Sequence, residues 1–132
     1  MIDTNVLISA ALSARGAPAR LVQRVLERSV LVFSQPTFDE LKTRLYRPKF
    51  DRYISLDLRE AVLHDLSAVA RWVEIGEPAR YCRDRSDDMF IETALVARAG
   101  VLVSGDQDLL DVPTIAGLRI LNPQQALAEA LG

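Results

Sequence analysis

The chain has 132 residues, 49% of them hydrophobic and 26% charged, with a net charge of −2. That is about one domain with a real core, and it excludes disorder, low complexity and a bilayer-spanning run of about 18 apolar residues. An acid at position 3 is not how a secretory signal begins, and the single Cys82 needs no oxidising compartment, so we expect a cytoplasmic protein.

The periodicity alternates between helix and strand. Only Met1 and Ile2 precede Asp3 as a first strand, which is short for a parallel sheet, and we expect the natural start to lie a few residues upstream. Thr4 to Leu12 reads as a helix, with Thr4 either its N-cap or polar support for a site. Ala17 to Arg28 is a second helix, with Pro18 in its first turn and Leu21, Val25 and Leu26 as its apolar stripe. Val30 to Phe33 is a strand. Ser34 caps a third helix carrying Phe38, Leu41 and Leu45, and Arg47-Pro-Lys-Phe ends it. A long helix is predicted from Ser55 to Trp72, with Leu58, Val62, Leu66, Val69 and Trp72 as core, followed by a strand over Val73–Ile75.

Gly76 to Arg85 reads as loop. Ser86 caps a helix that runs to Ala99 and is closed by Gly100. Val101–Ser104 and Leu118–Leu121 are strands, and Asn122-Pro123 opens a terminal helix. Short apolar strands between helices imply one α/β domain over residues 1–132. Its central, mostly parallel sheet of about four or five strands would carry helices on both faces, a three-layer sandwich.

Charge is segregated along the chain. Residues 15–59 hold ten Lys/Arg against five Asp/Glu, and residues 84–111 hold two against seven. In the acidic part and around it, Asp3, Glu40, Asp87 or Asp88, and Asp106 fall where the fold places strand ends and helix starts, the usual ligand side of a parallel sheet. One acid in a helix's first turn follows from the macrodipole alone. Several converging on one pocket must bind protons or a cation. With one His and one Cys, zinc is a poor fit, whereas oxygen ligands favour Mg²⁺ or Mn²⁺, which activate water and stabilise phosphodiester attack.

Four segments carry a resemblance: Asp3-Thr-Asn-Val-Leu-Ile-Ser-Ala, Ser34-Gln-Pro-Thr-Phe-Asp-Glu-Leu, Cys82-Arg-Asp-Arg-Ser-Asp-Asp-Met-Phe-Ile-Glu-Thr-Ala-Leu, and Val103-Ser-Gly-Asp-Gln-Asp-Leu-Leu. In order and spacing, with Arg47-Pro-Lys-Phe and a closing Ile120-Leu-Asn-Pro, the chain resembles the PIN-domain family, and within it the VapC-like toxins of toxin–antitoxin modules. The resemblance implies a metal-dependent endoribonuclease. Asp3, Asp87, Asp106 and Glu40 would be its catalytic, metal-holding acids, with Asn5, Ser104 and Asp108 as supporting polar residues. It also implies an RNA substrate, a cognate antitoxin and a homodimer. Aligning Thr93-Ala94-Leu95 with the family's small-residue helix favours Asp87 over Asp88, and two adjacent acids point about 100° apart on a helix. Asp39 beside Glu40 is set aside by the same geometry.

Blander readings stand beside these. Asp108 is a turn or cap residue or touches metal through water. Arg44, Arg47, Lys49 and Arg52 line an RNA path or a solvated helix end. His64 is a surface or structural residue, Cys82 a packed thiol. Exposed apolar faces on the first two long helices would form a dimer or antitoxin surface. Two other function classes compete. One is a PIN-like scaffold that binds RNA or protein without cutting. The other is a dehalogenase-type phosphatase, disfavoured because Asn5 stands where a second Asp is required.

Overall fold

The computed structural model describes residues 1–77, 79–82 and 84–129, with only the backbone of Arg85. Pro78 and Arg83, in the predicted loop and in the third motif, lie outside the described residues, as does the chain end from 130. Among the described residues, seven α-helices and four short strands follow in chain order: α1 (Thr4–Leu12), α2 (Ala17–Arg28), β1 (Val32–Phe33), α3 (Gln35–Leu45), α4 (Leu56–Val69), β2 (Arg71–Trp72), α5 (Asp88–Val96), β3 (Val101–Val103), α6 (Gln107–Leu110), β4 (Arg119–Leu121) and α7 (Pro123–Ala128).

All pairing between these strands is parallel. β1 pairs with β2, with Val32 opposite Arg71, and β3 pairs with β4, with Val101 opposite Arg119. Met1–Asp3 adds to the other side of β3: Asp3 N–H donates to Val103 O and Val103 N–H to Met1 O, each at 2.9 Å. The class is therefore α/β, with helix dominant. Among the described residues the ladders fall into two pairs, so the expected continuous sheet of four or five strands is not closed by hydrogen bonds. Side chains nevertheless alternate across these strands. Ile2 and Val103 enter one apolar cluster with Leu7, Leu21, Phe33 and Leu41, while Met1 and Leu102 enter another with Phe90 and Ile91. That is the period-2 signature of strands buried on both sides.

Several predicted boundaries move, each for a local reason. The fourth helix stops at Val69, not Trp72, because Ala70 turns extended and Arg71 N–H donates to Leu31 O at 2.8 Å. The strand therefore occupies Arg71–Trp72 and not Val73–Ile75. The inward stripe of α4 is Arg59, Leu63 and Leu66, while Leu58 and Val69 are exposed. The buried position that misled the pattern is an arginine. Trp72 is 40% exposed, packing one face on Phe33 and Phe38 at the sheet edge. Leu26 is likewise exposed.

The fifth helix begins one residue later than expected, because the Ser86 hydroxyl and N–H both turn back to Asp84 Oδ1. A tight turn over Arg85–Asp87 precedes it, and Asp87 takes the N-cap position. Its end falls near Val96, where Arg98, at φ 56°, and not Gly100, takes the left-handed conformation. The short α6 was not anticipated.

Candidate active site

Asp3 closes the Met1–Asp3 segment and caps α1, its Oδ1 accepting from Val6 N–H at 3.1 Å. Its Oδ2 accepts from the Ser104 hydroxyl at the end of β3. The same hydroxyl oxygen accepts from Asp106 N–H at 2.9 Å, so Ser104, fully buried, ties two acids together across the paired strands. Thr4 is not the cap; its hydroxyl donates to Glu40 Oε2 at 3.2 Å.

Glu40 arrives from α3, whose start is fixed by a buried hydroxyl group of three. Ser34 Oγ lies 2.7 Å from Thr93 Oγ1 on α5 and 3.2 Å from Thr37 Oγ1. This contact sets α3 against α5, and with it Glu40 against Asp87. Asp106 caps α6, its Oδ1 accepting from Asp108 N–H at 2.9 Å.

These elements bring Asp3, Glu40, Asp87 and Asp106 around one polar pocket of about 60 Å³, which Arg44 and Asp84 also line. That is room for a few water-sized positions, at roughly 10–15 Å³ each. Asp87, Asp106 and Asp108 can each place a carboxylate oxygen within 4.8 Å of the others. Asp87 is only 8% exposed and its Oδ2 has no hydrogen-bond partner. An orphaned buried carboxylate oxygen beside two further carboxylates has the oxygen-donor chemistry that could hold a cation.

The same crowding and burial act on protonation. Burial, and then the charges of Asp106 and Asp84, push the Asp87 carboxyl up to about 7. Burial raises Asp3 too, against the opposing hydrogen bonds from Ser104 and Val6.

Asp88 does different work. Its Oδ1 accepts from Tyr81 N–H at 3.0 Å and Cys82 N–H at 2.7 Å, pinning the preceding loop. The adjacent acids thus divide into one facing the pocket and one facing the chain. Asp39 is exposed and accepts from Gln35. Burial and the Asp88 carboxylate push the Cys82 thiol up to about 12, an inert packed thiol. His64 is exposed on α4.

Arg44 pairs with Glu40 through Nη2 at 2.8 Å and donates through Nη1 to Asn5 Oδ1 at 3.1 Å. Arg47 and Lys49 line a neighbouring cavity of about 380 Å³ that shares Asn5 and Arg44 with the acidic pocket. Arg52 is exposed and outside both. Sequence reasoning missed Asp84, although its Asx-type spacing to Ser86 was readable. It also missed Arg59, which no pattern of apolar residues reveals.

A parallel-stranded α/β protein with carboxylates gathered at the strand ends has the layout of a metal-assisted hydrolase site. A family profile described as a PIN domain matches residues 1–108, and the chain belongs to that family. It is also similar to the uncharacterized protein MJ1680 of Methanocaldococcus jannaschii, 28% identical over 114 residues that cover 85% of this chain and 73% of that protein. PIN domains are in general nucleases that use divalent metals, which places the chain among hydrolases at a coarse level.

Proposed function

We propose that the protein is a Mg²⁺- or Mn²⁺-dependent endoribonuclease, the toxin component of a toxin–antitoxin module, hydrolysing RNA phosphodiester bonds in the cytoplasm. One observation carries the reading: the unpartnered, buried Asp87 Oδ2 in a pocket that Asp3, Glu40 and Asp106 share. Asp87 and Asp106 would hold the cation, with Asp3 and Glu40 completing its surroundings and Asp108 reaching it directly or through water. The cation would activate water and offset charge on the phosphate.

The chain's own residues do the rest. Ser104 aims Asp3 and opposes the upward push that burial gives its carboxyl. The Ser34–Thr93 contact holds α3 and α5 at a fixed spacing. Asn5, Arg44, Arg47 and Lys49 offer donors and positive charge to the phosphates of a strand leaving the pocket. In hydrolysis the water oxygen bonds to phosphorus, one P–O ester bond breaks, and its oxygen leaves with a proton as an alcohol.

The three-layer arrangement belongs to the same proposal, supported by the alternation of Ile2 and Val103 against Met1 and Leu102. So do the antitoxin and the homodimer. The apolar groove of about 310 Å³ between α1, α2 and α4, which includes Leu7, Val22, Leu26 and Val62, is the face that supports a protein partner. No helix among the described residues is long and apolar enough to cross a membrane.

The test is cleavage of a mixed single-stranded RNA pool with Mn²⁺ or Mg²⁺, against EDTA and Asp87→Asn. Metal-dependent cutting lost in the variant is the expected result. Cutting that survives both controls would sink the assignment. Tight Mn²⁺ binding without cutting would mean a narrow substrate, and neither would mean a scaffold.

A further inference from the structure

The acidic pocket is not uniformly acidic, and the difference, taken together with the nuclease reading on which this inference rests, bears on how many ions it takes. At one end both carboxylate oxygens of Glu40 already have protein partners: Thr4 on Oε2 at 3.2 Å and the Arg44 guanidinium on Oε1 at 2.8 Å. At the other, Asp87 and Asp106 line the pocket with Asp108 beside it, their oxygens within 4.8 Å of one another, and Asp87 Oδ2, in a residue 92% buried, has no partner at all. One end is neutralised from within the chain. The other is not.

Phosphodiester hydrolysis commonly places two positive charges about 3.5–4 Å apart around the reacting phosphate, either two metal ions or one ion with a cationic side chain. We propose that Arg44 takes the place of a second divalent ion, so that the site binds one ion at the Asp87–Asp106 end while the guanidinium supplies the other positive charge. The geometry favours this in three ways. Arg44 is braced on both nitrogens, by Glu40 and by Asn5 at 3.1 Å, which fixes its plane. It lines both the acidic pocket and the basic cavity beside it, so a phosphate passing between the two meets it. Glu40, the acid on the Arg44 side of the pocket, already has a protein partner on each carboxylate oxygen.

A guanidinium stays charged at any pH the protein survives and presents forked N–H donors that match phosphate oxygens. Its role is to donate to a non-bridging oxygen of the scissile phosphate. It remains protonated throughout, and no bond to it forms or breaks.

The experiment is the Mn²⁺ stoichiometry of the metal-stripped full chain, by calorimetry and by electron paramagnetic resonance, with thermal melts confirming that each variant is folded. The wild type should bind one ion. Arg44→Met should bind a second, weaker one, which Glu40→Gln in the same chain removes. Arg44→Lys, which keeps a charge, should stay at one. In parallel, Arg44→Met should lose cleavage about 100-fold at low Mn²⁺ and regain part of it at high Mn²⁺. Two ions in the wild type, or one in Arg44→Met, overturns the proposal. A wild type that binds no Mn²⁺ overturns the metal-nuclease reading beneath it.

Discussion

Replacing Asp87 by Asn should stabilise the metal-free protein while destroying the proposed metal site. Asp87 can bring an oxygen within 4.8 Å of those of Asp106 and Asp108. Two unit charges at that distance repel by about 3 kcal/mol at an effective dielectric near 20. Salt and the open mouth of the pocket reduce this to about 1–2 kcal/mol. An amide keeps the side chain's shape, and its NH₂ can donate to Asp106. For a chain of this size each kcal/mol shifts Tm by roughly 3–5 °C, so the variant should melt about 5 °C above the wild type at pH 8 in EDTA.

The sign with pH follows from the raised carboxyl. Its folded-state pKa is about 7 against 3.8, so the folded protein holds the proton more tightly. Wild-type stability therefore falls as pH rises from about 4 to about 7 and levels above. The Asn variant lacks this fall, and at pH 5 its advantage should nearly vanish. Saturating Mn²⁺ should then reverse the order at pH 8, because only the wild type gains binding energy, about 2.7 kcal/mol at 100 times Kd. A variant that melts below the wild type by the same margin at pH 5 and pH 8, or that still gains from Mn²⁺, would refute the reasoning.

Other substitutions separate roles by their readouts. Ser104→Ala removes the donor to Asp3 and the acceptor for Asp106 N–H. It should lower cleavage 10- to 100-fold, the usual range for a group that orients a metal ligand, with a folded protein by circular dichroism. Asp88→Ala frees the Tyr81 and Cys82 amides and should cost about 1–3 kcal/mol in urea unfolding, while Mn²⁺ affinity per folded molecule stays within about threefold. Arg59→Met keeps bulk but leaves Ile54 O without the two donors it has at 2.9 and 3.2 Å. Because its ionic partner Asp51 is 64% exposed, the loss should be about 2–3 kcal/mol, read as Tm. RNA affinity should weaken too, as the chain that follows Arg47 and Lys49 loosens.

What was legible in the sequence follows from where local signals suffice. α1 and α2 fall on their predicted residues because one cap or one early proline fixes each start. The acids were legible because strand ends and helix starts are readable from hydrophobic period, and the division between Asp87 and Asp88 came from the family resemblance. Where the reading failed, tertiary contacts decide. The length of α4 is set by β1, which takes Arg71 and Val73 into hydrogen bonds. The inward face of α4 turns on Arg59, whose guanidinium lies over the Tyr46 ring at 5.7 Å and satisfies a carbonyl. No hydropathy pattern selects an arginine for a core position. Glu40's environment was equally out of reach, since Thr4 and Arg44 meet it only after α1 and α3 pack.

The segregation of charge along the chain then acquires a structural meaning that net charge conceals. The basic stretch and the acidic stretch are distant in sequence, yet α3 lays one against the other, with Arg44 at the seam. A uniformly acidic pocket would attract cations and repel the phosphate they are meant to act on. On the proposed nuclease reading, a basic border on one side would let a strand approach to within reach of the ion without passing over bare carboxylates. Arg47 and Lys49 supply that border and Arg44 ends it, one helical turn from Glu40. Neutralising Arg47 and Lys49 together should therefore weaken RNA binding and flatten its salt dependence by about two phosphate contacts, while the stoichiometry of Mn²⁺ stays as in the wild type. If the salt slope is unchanged, the border is a solvated helix end and the strand takes another path.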